Sequence, residues 1–153
     1  MQKIKSKIKQ MKPLITIRKA KLDQETILLN SIRKEKADAL ELLQKNQTSY
    51  MQGVERLNKE RTRGNLVTLP TLERGLDRVK DLWYQSLTTV RSIEERERQQ
   101  LVQVVDARKN LKSMETLEET YQTQLSAELK RAARKETDEM AIHMHREKNA
   151  KRS

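Results

Sequence analysis

The chain has 153 residues, of which 36% are charged and 35% apolar, with no Phe, one Trp and three Tyr. So little aromatic and aliphatic volume can bury a stripe but not the three-dimensional core of a compact enzyme domain. Three Gly and two Pro exclude a loop-rich sheet protein, and a net charge of +11 directs attention to acidic partners.

Residues 1–12 open the chain as a basic extension, with Lys3, Lys5, Lys7 and Lys9 in alternation. Such a segment could lie on an anionic membrane surface, but Ile4 and Ile8 make a meagre apolar face for that. The run Leu14-Ile15-Thr16-Ile17 is too short for a secretory core, and nothing approaches the roughly 20 apolar residues of a membrane span. A cytoplasmic location follows as the expectation.

Pro13 suits the first turn of a helix, where a missing amide hydrogen costs nothing, so the first helix is predicted over 13–63. Steps of seven from Ile15 reach Leu22, Leu29, Lys36, Leu43, Tyr50 and Leu57, with Ile32 and Ala39 between them. Lys36 breaks this register, and Arg18, Glu25 and Asn46 thin the stripe further.

Gly64-Asn65 offers the left-handed backbone that ends a helix, and residues 64–70 are read as a turn. Pro70, capped by Thr68 or Thr71 and followed by Glu73 in the first turn, restarts the chain as a helix over 71–148.

That second helix has the clearer pattern. Alternating steps of four and three from Leu72 pass Leu76, Val79, Trp83, Ser86, Val90, Ile93, Glu97, Gln100, Val104, Ala107, Leu111, Met114, Glu118, Tyr121, Leu125, Glu128 and Ala132. A mean spacing of 3.5 keeps such a stripe on one side only in a left-handed coiled coil. Where it turns polar, at Glu97, Gln100 and Glu118, the neighbouring Leu101 and Leu117 are expected to share the contact.

The predicted fold is therefore all-α: two long helices in an antiparallel left-handed coiled-coil hairpin, 13–153, with the longer helix C-terminal. At 1.5 Å per residue the arms would extend roughly 75 and 115 Å, leaving on the order of 40 Å of the second without a partner.

Charge follows the same layout. Residues 1–21 hold eight Lys or Arg and no acid, whereas 127–153 hold eight basic and five acidic residues. A hairpin would gather both segments into a basic tip, acting over about 8 Å in physiological salt and hence on a surface it touches. Plain solubility is the competing role for these charges.

Catalysis is poorly served: there is no Cys, no Gly-rich phosphate loop and no nucleophile set beside a base. His143 and His145 lie two apart on a helix and point to different sides, so neither a metal nor another cofactor is expected. A basic nucleic-acid-binding coiled coil is an alternative, disfavoured by the lack of interleaved aromatics and groove-reading motifs. A general coiled-coil scaffold or chaperone built from the same hairpin is another.

Together these features resemble the FliJ proteins of the flagellar type III export apparatus and their YscO-type injectisome counterparts. The resemblance runs over about 13–148 and rests on the two-helix layout, on Pro13-Leu14-Ile15-Thr16-Ile17-Arg18-Lys19, and on Ala107-Arg108-Lys109 through Leu117 to Lys135-Glu136-Thr137-Asp138-Glu139-Met140-Ala141.

It implies a non-enzymatic stalk, similar to the coiled coil of the rotary ATP synthase gamma subunit, set in the centre of a hexameric export ATPase. Arg18, Lys19 and Lys21 with Arg131, Arg134 and Lys135 would then meet the ATPase. A Gln-x-x-Tyr pattern at Gln47 and Tyr50, with Leu72, Leu76, Val79 and Trp83, would face the export gate, a membrane protein, through its cytoplasmic domain. Trp83 departs from the polar ring common at that family position. The resemblance further implies binding to export chaperones, no nucleic acid, and a place at the cytoplasmic face of the inner membrane held only through partners.

Overall fold

A computed structural model describes residues 1–152 as two helices, α1 (Gln2–Arg63) and α2 (Leu69–Arg152), with no strand among the described residues. The chain doubles back between them, and the two helices pack as an antiparallel hairpin. Packing divides it into two units: residues 23–105, which contain the corner, and residues 1–22 with 106–153, which contain both chain ends.

The corner is built as the sequence suggests. Gly64 takes a positive φ of 71°, and its N–H donates to the Arg61 carbonyl at 3.2 Å while the Asn65 N–H reaches back to the Glu60 carbonyl at 3.2 Å. These two bonds are the Schellman arrangement, which satisfies carbonyls that the end of α1 would leave open. The Thr68 hydroxyl donates to the Asn65 carbonyl at 3.3 Å, and the Leu72 N–H to the Thr68 carbonyl at 3.1 Å, opening α2. Pro70 falls in that first turn, where no amide hydrogen is needed.

Three local expectations change. Glu73 is not in the first turn of α2, which holds no acid; it bridges the corner to Arg61 at 3.3 Å instead. The second helix starts at Leu69 rather than 71 and runs to Arg152 rather than 148. The first starts at Gln2, so Pro13 lies inside it and residues 2–12 are helical. An interior Pro costs about 3 kcal/mol. Ile8, Met11 and Ile15 are buried on either side of Pro13, and at about 1.5–3 kcal/mol each their burial outweighs that loss.

In the corner-bearing unit the expected stripe is the core. Leu29, Ile32, Leu57, Val90, Ile93 and Val104 are buried, and Leu43, Tyr50, Leu72, Leu76, Val79 and Trp83 are half-buried. The polar seam positions are not covered by neighbouring leucines, as Leu101 and Leu117 remain 43% and 41% exposed. Those of this unit, Glu97 and Gln100, are paired across the helices instead. Lys36 Nζ lies 3.1 Å from Glu97 Oε1, with Arg33 at 3.6 Å from the other carboxylate oxygen. The Gln100 amide donates to the Glu25 carbonyl at 2.9 Å and to its carboxylate, and the Asn46 amide donates to the Ser86 hydroxyl. Buried polar groups need such partners, and here each helix supplies those of the other.

In the unit of the chain ends, Ile4, Ile8, Met11, Ile15 and Leu22 line α1. Ala107, Leu111, Met114, Tyr121 and Leu125 line α2. The Lys7 ammonium sits over the Tyr121 ring, 5.4 Å from its centroid, and the Met1 α-ammonium lies 3.1 Å from Glu128 Oε2. Ala132 is the last half-buried residue of α2; residues 133–152 are exposed on every side.

Candidate functional site

Both groups of candidate basic residues, Arg18, Lys19 and Lys21 on α1 and Arg131, Arg134 and Lys135 on α2, are exposed in the unit of the chain ends. They are not adjacent. Lys7 faces Tyr121 and Met1 faces Glu128, so Arg18 lies seventeen residues inward from the α1 end while Arg131 lies three beyond Glu128. At 1.5 Å per residue the two groups stand roughly 30 Å apart along the helices. Arg131, Arg134 and Lys135 lie past the Met1–Glu128 contact, beyond the start of α1, whose exposed Lys3 and Lys5 fall between the two groups. A basic surface therefore extends along this unit rather than closing into a single tip.

The second candidate group lies in the corner-bearing unit and is brought together closely. Tyr50 and Trp83 stack with ring centroids 5.3 Å apart. Leu76 packs on Gly53 so tightly that a Cβ there would come within 2.8 Å of the Leu76 Cδ1. Leu72, Leu76, Val79, Tyr50 and Trp83 are thus half-buried members of the seam, and only Gln47 among the six is exposed.

The aromatic turned outward is Tyr84, 50% exposed, stacked on Trp83 at 5.8 Å and approached by the Lys80 ammonium at 5.8 Å from the ring centroid. That Trp83 and Tyr84 cannot share one face of a helix was readable from their adjacency. Which of them turns outward required the position of Tyr50. Sequence reasoning also passed over Leu66 and Val67, the most exposed large apolar side chains described, at 74% and 88%. Two apolar residues inside a turn signal were the clue.

Electrostatics on this unit are local. The Glu95 carboxyl is held below its ordinary value of 4.5, first by the hydrogen bond from the Arg98 guanidinium and then by its charge, and Arg98 is raised in return. Glu35 and Arg96 pair across the helices at 2.9 Å. No group of His, Cys, Asp or Glu side chains among the described residues could hold a metal ion. His143 instead lies 3.2 Å from Glu147, one helical turn on.

Fold and surface define a helical-hairpin protein with two separate presentations, a basic one where its chain ends lie and an aromatic and apolar one near its corner. Its sequence matches the model of the flagellar FliJ protein family over residues 6–150. The chain belongs to that family, a family of non-enzymatic components of the flagellar export apparatus. No curated protein and no solved structure matches it.

Proposed function

We propose that this chain is a stalk that couples a hexameric export ATPase to the export gate, bridging the two without doing chemistry itself. The observation that carries the reading is the family match across nearly the whole chain, on a hairpin whose two units present unlike surfaces. Arg18, Lys19, Lys21, Arg131, Arg134 and Lys135 meet carboxylates of the ATPase ring. Their spread along the helices suits insertion into a ring better than contact at a point. Gln47, the exposed edges of Tyr50 and Trp83, and the adjoining Leu72, Leu76 and Val79 form the gate-facing surface. Export chaperones are further partners.

A rod lying in a ring of identical subunits meets them unequally, so its effect on turnover arises by favouring one state of the ring over the others. No described helix is long and apolar enough to cross a membrane. In this reading the chain is held at the cytoplasmic face of the inner membrane by its partners.

The test is ATP turnover by the purified export ATPase with this chain added over a range of salt. Stimulation, or promotion of ring assembly, that weakens as salt rises supports the reading. No response at any salt rejects it.

A further inference from the structure

Leu66 and Val67 stand between the two helices on a corner several of whose polar groups are paired within it. The Leu66 N–H donates to the Gly64 carbonyl at 3.0 Å, the Asn65 side-chain amide to Glu60 at 3.4 Å, and the Thr68 hydroxyl to the Asn65 carbonyl at 3.3 Å. The two apolar side chains are therefore held outward by a fixed backbone, at the highest exposures of any large apolar residue described.

The charge around them is lopsided. Residues 56–78 carry six basic side chains and three acidic ones. Two of those acids are taken up inside the corner, Glu60 by Arg63 at 3.5 Å and Glu73 by Arg61 at 3.3 Å. Arg74 and Arg78 are exposed and engaged in no ion pair among the described residues.

We propose that Leu66 and Val67 are the knob of a docking surface that seats in an apolar pocket on a protein partner, with Arg74 and Arg78 meeting carboxylates on the rim of that pocket. A knob ordered before binding loses little freedom when it docks, which favours a preformed cavity. A bilayer gains nothing from that order, and two side chains are a small anchor in lipid. Hydrophobic centres ringed by charge are where binding energy concentrates in protein interfaces. The inference rests on the bridging reading above, in which the corner-bearing unit faces the export gate, and adds the corner itself to the contact.

The experiment measures binding of the full chain to the purified cytoplasmic domain of the gate protein, for the natural sequence, for Leu66→Ser/Val67→Ser and for Arg74→Glu/Arg78→Glu. Neither pair of substitutions removes a packed side chain, so helicity should be unchanged and is checked by circular dichroism.

Expected are a loss of at least about thirtyfold for the apolar pair, the scale of a binding hot spot. The arginine pair should lose affinity together with part of its salt dependence. Equal binding by natural chain and apolar variant overturns the corner proposal and leaves the bridging reading standing. Failure of the natural chain to bind removes the bridging reading and this one with it. Two parallel measurements use phosphatidylcholine–phosphatidylglycerol vesicles and sedimentation of the chain alone. Vesicle binding or self-association that the Leu66/Val67 substitutions abolish would overturn the assignment to a protein pocket.

Discussion

Lys36 and Glu97, charged residues facing each other within an otherwise largely apolar seam, meet across the two helices with 3.1 Å between Nζ and Oε1. A shift of one heptad would set Lys36 against Val90 or Val104, leaving both charges half-buried without a partner. The pairs Gln100–Glu25 and Asn46–Ser86 impose the same register. Replacing Lys36 by Leu leaves Glu97 only Arg33 at 3.6 Å, and should lower stability by about 1–2 kcal/mol in urea unfolding. Replacing both Lys36 and Glu97 by Leu should recover most of that stability, as polar pairs are often no stronger than apolar ones. Sedimentation of the double variant should then reveal more associated species than the natural chain, because two polar pairs rather than three now hold the register.

Three glycines separate backbone from packing effects. Gly75 has open space where a Cβ would stand, so Gly75→Ala should stabilise by about 0.5–1 kcal/mol through helix propensity alone. At Gly53 the Cβ would meet Leu76 Cδ1 at 2.8 Å, and the gain should shrink to within about 0.5 kcal/mol of zero as that side chain gives way. Gly64→Ala forces a Cβ into the left-handed region and should cost about 1 kcal/mol. Urea midpoints of the three variants check the order.

The seam itself was legible because its period is a property of the sequence. All eighteen α2 positions reached by alternating steps from Leu72 are buried or half-buried. The corner was equally plain, since Gly64 takes the conformation that only Gly adopts freely. The beginning of α1, at Gln2, was less legible. Pro13 is a common helix start, and the competing signal, Ile4, Ile8 and Met11 continuing the seam, is tertiary: it matters only once Leu125 and Tyr121 stand opposite. The partners of Lys36, Glu25 and Asn46 depend on the same cross-helix register, which no single strand of sequence states. At the candidate site, charge could name Arg18 and Arg131 but not the distance between them.

Trp83 and Tyr84 should separate folding from recognition. Trp83 is stacked on Tyr50 in the seam, and Trp83→Ala should destabilise the chain by about 2–3 kcal/mol, less than for a fully buried aromatic. Tyr84 is half exposed, so Tyr84→Ala should stay within about 0.5 kcal/mol of the natural chain. The fluorescence of the single Trp reports unfolding in the natural chain and in Tyr84→Ala, and circular dichroism serves for Trp83→Ala.

The Glu95–Arg98 pair gives a pH signature. A depressed carboxyl contributes stability that is present above its unfolded value and is lost as pH falls through its folded value. The Glu95 carboxyl should therefore titrate below 4.5 by nuclear magnetic resonance, and should rise toward it in Arg98→Gln. High salt should narrow the gap between the two, as the pair is fully open to solvent.

The most direct test of the antiparallel register is a distance measured between spin labels at Glu35→Cys and Arg96→Cys, which face each other across the helices in a chain with no other cysteine. A single short distance, unchanged when labelled protein is diluted into unlabelled protein, is the predicted result. A distance that disappears on dilution, or one spread over many values, would contradict a chain that folds back on itself in one fixed pairing.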